Sequence, residues 1–353
     1  MIEIDGSWGE GGGQILRTAL AISAIFGLPC RIKNIRAGRK RPGLMAQHLT
    51  GVQAAAQLAG ADVKGAFLGS TELIFVPKAK DRQLTTENQP LIWDVSAERG
   101  SAGAVTLVLQ TVLPILLFSF KPLTATVRGG THVPFSPIYE FFHCVLLSFL
   151  RSLGIEAEAQ ITSYGFYPLG GGEVLIHTKP VNKEKIKVRE LLSSGRLKEI
   201  RMVSAVSHLP ESIALRQANR LKERLPLEPE TVDIKTVNGL CPGTYLFLEV
   251  KYENVTVGFS SLGEKGKPAE RVADEVYEQF QNHQRSKMAL DPHLADQVLI
   301  FLVLSGQPFV YTTSRVTKHL KTNIWTISQF LPQCSVELID LGNQTAELRG
   351  LWR

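Results

Sequence analysis

Gly9-Glu10-Gly11-Gly12-Gly13-Gln14-Ile15-Leu16-Arg17 is the stretch on which the reading of this chain turns. An apolar–polar alternation over residues 1–5 precedes it and predicts a strand. An apolar run over 15–26, closed by Gly27, predicts a helix. The residues between form a strand-to-helix turn made almost wholly of glycine. Glycine lets backbone approach a ligand closely, and a helix start leaves N–H groups unpaired, which suits phosphate. Glu10, Gln14 and Arg17 add a carboxylate, an amide and a guanidinium within two helical turns. A P-loop would carry Lys and then Ser or Thr after the last glycine, and neither is present. A tight turn in an ordinary α/β protein is the other reading of the same residues.

One pattern recurs outward from this turn. Helix 15–26 is followed by strand 30–35, a basic loop 36–42, helix 44–58, and strands 62–65 and 72–76. Helix 104–117, strand 123–127, loop 128–137, helix 138–153, and strands 156–161 and 172–178 repeat that order. Helix 292–305, strand 308–312, loop 313–321, helix 323–330, strand 335–339 and a last strand at 345–348 repeat it again. The expected class is α/β (α+β): a large domain of three repeated αβ units, with sheets and paired helices. Each unit places a loop with Arg or His after its first strand, so three equivalent loops can converge on one site. Plain helix–strand alternation is the rival reading.

Composition shifts between the second and third units. Residues 183–201 are dense in charge, 211–225 read as an amphipathic helix, 232–237 and 245–259 alternate like strands, and 267–281 read as a polar helix. This divides the chain into residues 1–182 (units one and two), 183–280 (a small inserted α/β domain) and 281–353 (unit three). The insert holds no catalytic constellation and reads as structural or substrate-guiding.

The chain has 353 residues, 44% hydrophobic and 20% charged, as in a folded soluble protein. Its net charge of +6 is compatible with a polyanionic substrate such as RNA. Cys30, Cys144, Cys241 and Cys334 are far apart and form no Cys-x-x-Cys, so free thiols in a reducing compartment are expected, without a zinc site. No basic segment followed by an apolar core opens the chain. The most apolar run, 105–120, is interrupted by Gln110 and Pro114 and too short to span a bilayer. A cytoplasmic protein without a membrane segment is expected.

His319 sits in a basic loop shortly before a helix start, where a helix N-terminus and three nearby cations disfavour protonation and keep the ring nucleophilic. A surface histidine is the alternative. His48, His143 and His177 fall in expected helix or strand as packing or surface residues, and His208 and His283 in or beside the insert as solvated ones. His132 and His293 remain candidates for ligand contact. Asp291 and Pro292 make a good helix start, which puts Asp296 and Gln297 in its second turn. Arg36, Arg39, Lys40 and Arg41 form a basic loop with Gln47 just inside the next helix, and arginine forks suit phosphate. A solvated charge run is the alternative. There is no Lys-x-Asp-Gly, so histidine is the nucleophile available for covalent activation of a nucleotide.

Taken together, these motifs resemble the RNA 3′-terminal phosphate cyclases. The resemblance runs through residues 6–17, 35–39 and 42–44. It continues through Gly100-Ser101-Ala102-Gly103 with Leu109-Gln110-Thr111, Gly129-Gly130-Thr131, 165–168 with 170–172, and Leu294-Ala295-Asp296-Gln297. It ends at His319-Leu320 with Thr322-Asn323-Ile324. It covers the whole chain, most loosely in the insert. It implies a thioredoxin-like insert and a ligase-type, ATP-binding enzyme of RNA processing. That enzyme converts an RNA 3′-phosphate to a 2′,3′-cyclic phosphodiester through a histidine–AMP intermediate and an adenylylated RNA end, releasing AMP and pyrophosphate. His319 matches the nucleophile and Glu10 the partner of a divalent metal, Mg or Mn. Gln14, Gln110, Pro137, His293, Asp296 and Gln297 match positions lining the ATP site. Arg17, Arg36, Arg39 and Gln47 match phosphate-holding positions, including those for the RNA end. Position 293 is His where the family often has Tyr, and Tyr164 stands where a basic residue is usual. A non-catalytic, cyclase-like RNA-binding factor of ribosomal RNA processing, which lacks the histidine, is the alternative on the same fold. An enolpyruvyl-transferase-like enzyme is a third reading, because that group also repeats αβ units.

Overall fold

The computed structural model of the chain describes residues 1–78, 90–96 and 102–352. Gly100 and Ser101 of the second-unit motif lie outside the described residues. The first unit comprises β1 (Ile2–Asp5), α1 (Gln14–Phe26), β2 (Cys30–Lys33), α2 (Ala46–Ala59), β3 (Asp62–Lys64) and β4 (Leu73–Val76). Its sheet order is β1-β2-β4-β3, with the first pair parallel and the others antiparallel. The second unit comprises β5 (Leu91–Asp94), α3 (Val105–Leu117), β6 (Leu123–Gly129), a π-helical turn Phe141–Leu146 running into α4 (Leu147–Ser152), β7 (Ala157–Ser163) and β8 (Gly172–Thr178). Its order, β5-β6-β8-β7, repeats that of the first unit with the same strand directions.

Residues 197–286 form a separate four-stranded sheet with two helices. The elements are β9 (Leu197–Ser207), α5 (Glu211–Lys222), β10 (Thr231–Thr236), β11 (Gly243–Tyr252), β12 (Thr256–Leu262) and α6 (Ala269–Ser286), in sheet order β10-β9-β11-β12. The charge-dense run at 183–201 hides the start of β9, whose Ile200 and Met202 are fully buried. The third unit follows with α7 (Pro292–Ser305), β13 (Phe309–Thr313), α8 (Lys318–Phe330), β14 (Cys334–Gly342) and β15 (Thr345–Trp352), in sheet order β13-β15-β14.

In the third sheet the counterpart of β1 and β5 is divided. Leu191 bridges Tyr311 and Leu290 bridges Thr313, both in parallel. Leu191 N–H donates to the Val310 carbonyl at 2.9 Å, and Leu290 N–H donates to the Thr312 carbonyl at 3.0 Å. The chain reaches the edge of β13, leaves to form the β9–β12 sheet, and returns two positions further along the same edge.

The helices face inward. α1 packs against α2, α3 and α8, and α7 against α8. α3 is buried nearly all round, so its apolarity answers to this core. Among the described residues no helix is long and apolar enough to cross a membrane.

Candidate active site

The glycine turn is shaped by what it must approach. Gly11 has φ +58°, and a Cβ there would lie 2.8 Å from the Gly38 nitrogen, so only glycine lets this turn dock on the 36–41 loop. A Cβ on Gly12 would strike the Glu10 carboxylate and the Arg39 guanidinium. Trp8 stacks on Trp325 of α8, ring centroids 4.6 Å apart, and fixes the turn against the third unit. Glu10 is thereby held between Arg39, whose Nη2 meets its Oε1, and His319, whose Nδ1 lies 2.6 Å from its Oε2. The contact with His319 is close but off the hydrogen-bonding direction, since neither atom has a hydrogen-bond partner.

The sequence predicts a loop at His319 and a helix from 323. The helix instead begins at Lys318, because Thr317 caps it: its Oγ1 accepts from Leu320 N–H at 2.9 Å. His319 is therefore a first-turn helical residue, held more rigidly than a loop would hold it. Thr317 Oγ1 also donates to Asp296 Oδ1 at 2.6 Å, tying α8 to α7. Asn323 Nδ2 donates to the Asp296 carbonyl at 2.9 Å, while its Oδ1 accepts from Gln14 and Thr18 of α1 at 2.7 and 2.6 Å. Arg17 Nη2 donates to Gln14 Oε1 at 2.5 Å. One polar network thus joins the helix starts of the first and third units.

Its electrostatics are set by burial. Desolvation, with Arg17 and Arg39 beside it, lowers His319 to a pKa of about 4. His293 opens onto the cleft, yet the protein crowded around it, with Arg315 and His319, also lowers its pKa to about 4. Burial lowers Arg17 to about 10, opposed by Asp296. Burial raises Asp296 to about 8, opposed by the Thr317 hydrogen bond and reinforced by Asp291. At neutral pH both imidazoles are neutral and Arg17 is a buried cation. Arg36 has φ +56° and gives Nη1 to the carbonyls of Arg41 and Gly43, both at 2.8 Å, so it braces its own loop with that nitrogen.

These groups line a cleft of about 830 Å³. Glu10, Gln14, Arg17, Arg36, Arg39, Gln110, Pro137, His293, Asp296, Gln297 and His319 all border it. Gln47 does not: its Oε1 accepts from Ala104 N–H at 2.9 Å, and so serves the start of α3. His132 is turned away from the cleft, buried against Tyr245, with Nε2 2.6 Å from Glu140. His283 is buried among Tyr252 and Phe259, not solvated.

Three contributors were not legible from sequence. His48 borders the cleft with Arg17 and Arg36, and its Nδ1 accepts from Met45 N–H at 3.3 Å, which leaves the proton on Nε2, the nitrogen that faces Gly13. Burial and the arginines hold it well below its ordinary pKa. The π-helical turn brings both Phe141 and Leu146 to the cleft, with Phe141 edge-on to His293 at 6.3 Å. The β9–β12 body supplies a whole wall: Ser260, Ser261, Gly263, Lys267 and Gln279 border the same space. Helical periodicity flags His48 and Phe141 only as inward-facing, and no local signal marks the wall.

Buried polar atoms without partners cluster here: Glu10 Oε2, His319 Nδ1, Arg17 Nε and Gln297 Oε1. A cleft of this size that is lined by both arginines and apolar side chains fits a nucleotide. Among the described residues no group of three or more His, Cys, Asp or Glu side chains could hold a metal ion. The single carboxylate of Glu10 suits Mg²⁺, which binds through one or two carboxylates together with substrate phosphates and water.

A family model described as RNA 3′-terminal phosphate cyclase matches residues 8–336. The chain is 41% identical to the RNA 3′-terminal phosphate cyclase of Gloeothece citriformis over 345 residues, 96% of this chain and 97% of that one. It is 42% identical to that of Koribacter versatilis over 333 residues (94% and 90%). To that of Pyrococcus abyssi it is 41% identical over 333 residues (94% and 93%). A match of that extent, over a chain whose glycine turn, arginine loop and helix-borne histidine meet in one cleft, places this protein in the RNA 3′-terminal phosphate cyclase family.

Proposed function

We propose that this protein is an RNA 3′-terminal phosphate cyclase that uses ATP and His319. The observation that carries the reading is His319 itself. It is a neutral imidazole on a helix start, backed at Nδ1 by Glu10 and facing a nucleotide-sized cleft. Nε2 attacks the α-phosphorus of ATP, a P–N bond forms, and the bond to the bridging oxygen breaks with release of pyrophosphate. An oxygen of the RNA 3′-phosphate then takes the adenylate and frees the imidazole. The ribose 2′-OH attacks the 3′-phosphorus, loses its proton, and expels AMP. A phosphoanhydride-linked AMP leaves far more readily than a phosphate oxygen, which is the purpose of the first two steps.

Arg17 and Arg39 neutralise charge on the phosphates, and Asp296 and Thr317 hold the histidine-bearing helix in register. Glu10 would hold a divalent ion, which would neutralise charge on the phosphates. Pro137, His293 and Gln297 border the cleft with Phe141, where the base would sit. Residues 1–182 and 281–353 act as the catalytic domain around an inserted 183–280 module. The four cysteines are free thiols, in keeping with the cytoplasm.

The test is incubation with α-labelled ATP and Mg²⁺ or Mn²⁺, then denaturation. Wild type retains acid-labile label and His319→Ala does not, and 3′-phosphate RNA chases the label into AMP with a cyclic end formed. RNA binding without any label uptake would favour a non-catalytic processing factor on the same fold.

A further inference from the structure

Phe135 is the large apolar side chain that the fold leaves without a purpose. Among the described residues it is the most exposed of the large hydrophobics, at 103% of its reference area, and the only one of the exposed set that borders the cleft. Its backbone has φ +63°, a left-handed conformation that bulky aromatic residues rarely adopt. The loop that imposes it is well anchored. Ser136 Oγ donates to the Val133 carbonyl at 2.9 Å, Thr106 Oγ1 donates to the Pro137 carbonyl at 2.7 Å, and Tyr139 N–H donates to the Thr131 carbonyl at 3.2 Å. Val133 is buried and Pro134 and Pro137 restrict the chain on either side. A well-anchored backbone thus presents an exposed aromatic ring where it borders the cleft, in a conformation glycine would favour, with no ring contact among the described residues to explain it.

We propose that Phe135 is the stacking platform for the 3′-terminal nucleobase of the RNA substrate. This rests on the function proposed above. An RNA whose terminal phosphate reaches Arg17, Arg39 and His319 must pass the cleft mouth with its last base unpaired. Single-stranded ends are held by stacking bases on aromatic rings beside a cationic groove. Phe141, Pro137 and His293 border the same cleft and are left for the base of ATP. Stacking uses the face that every base has, so Phe135 would register the presence of a base and not its identity.

The test compares wild type with Phe135→Gly and Phe135→Trp. Glycine suits the positive φ, so the loop keeps its shape while the ring is lost. Three quantities are read: label uptake from α-labelled ATP without RNA, equilibrium binding of a 3′-phosphate RNA oligomer, and transfer of adenylate to it. Phe135→Gly should take up label at the wild-type ATP concentration dependence, bind RNA about tenfold more weakly, and regain affinity as Phe135→Trp. Wild type should lose about the same factor on an oligomer ending in an abasic ribose 3′-phosphate, while Phe135→Gly should not distinguish the two oligomers. Equal RNA affinity of wild type and Phe135→Gly overturns the proposal. So does a shift in ATP dependence alone, or an abasic loss of the same size in both proteins. If wild type takes up no label, the proposed function fails, and the binding titration still decides the role of Phe135.

Discussion

Glu10 and His319 come from opposite ends of the chain and meet with a carboxylate oxygen 2.6 Å from the imidazole Nδ1. The contact leaves Nε2 as the nitrogen available to the cleft. It also sets Glu10 where it can orient the ring, hold a cation, or do both. Glu10→Gln keeps the shape and removes the charge. It should slow single-turnover adenylylation of the protein by about 100-fold, the scale of losing one electrostatic partner in an active site. His319→Ala should abolish it. Wild-type label uptake by Glu10→Gln would remove Glu10 from the chemistry.

Thr317 is the second point of control, because it caps α8 and binds Asp296 with one hydroxyl. Thr317→Val should cost about 0.5–2 kcal/mol in a denaturant melt and slow adenylylation by loosening the helix start that carries His319. Thr317→Ser should restore both. A valine variant of unchanged activity would show that the helix start needs no cap to place the histidine.

Arg17 is a buried cation that burdens the fold. It is buried, its Nε has no partner, and burial outweighs its attraction to Asp296. Arg17→Met fills a similar volume without a charge. The melting temperature should be unchanged or higher, while adenylate transfer to RNA falls by at least about 100-fold. A large fall in melting temperature would make Arg17 structural instead.

His283 predicts an acid limb in stability. Burial lowers its pKa from 6.5 to about 4, and neither ring nitrogen has a hydrogen-bond partner. The unfolded chain takes up a proton that the folded chain refuses. Its contribution is therefore complete above pH 6.5 and falls as pH drops toward 4, by roughly 3 kcal/mol. His283→Phe should flatten the dependence of melting temperature on pH across that window. An unchanged slope would place the acid sensitivity elsewhere.

The repeat was legible because helix periodicity and glycine punctuation are local properties, and the order of helices and strands in each unit could be counted along the chain. The residues around the cleft were legible where a motif carried them, as with Glu10, Arg17, Asp296 and His319. What escaped depends on tertiary contact. The early start of α8 is decided by Thr317 meeting Asp296 across two helices. The loss of Gln47 from the cleft is decided by the N–H at Ala104, which donates to its side chain. The wall at Ser260–Gly263 comes from a body whose own strands read as generic alternation.

The divided strand at Leu191 and Leu290 has a mechanical meaning. The β9–β12 body is joined to the third unit through two adjacent points on one edge, and elsewhere it presents Ser261, Lys267 and Gln279 to the cleft. The same body is also tied to the second unit, where Tyr245 Oη donates to Glu140 at 2.5 Å and Gly239 bridges Tyr164. Anchored on two units, it carries its part of the cleft wall as one frame with the rest of the fold, so Tyr245 and Glu140, which do not border the cleft, help to set where Ser261, Lys267 and Gln279 stand.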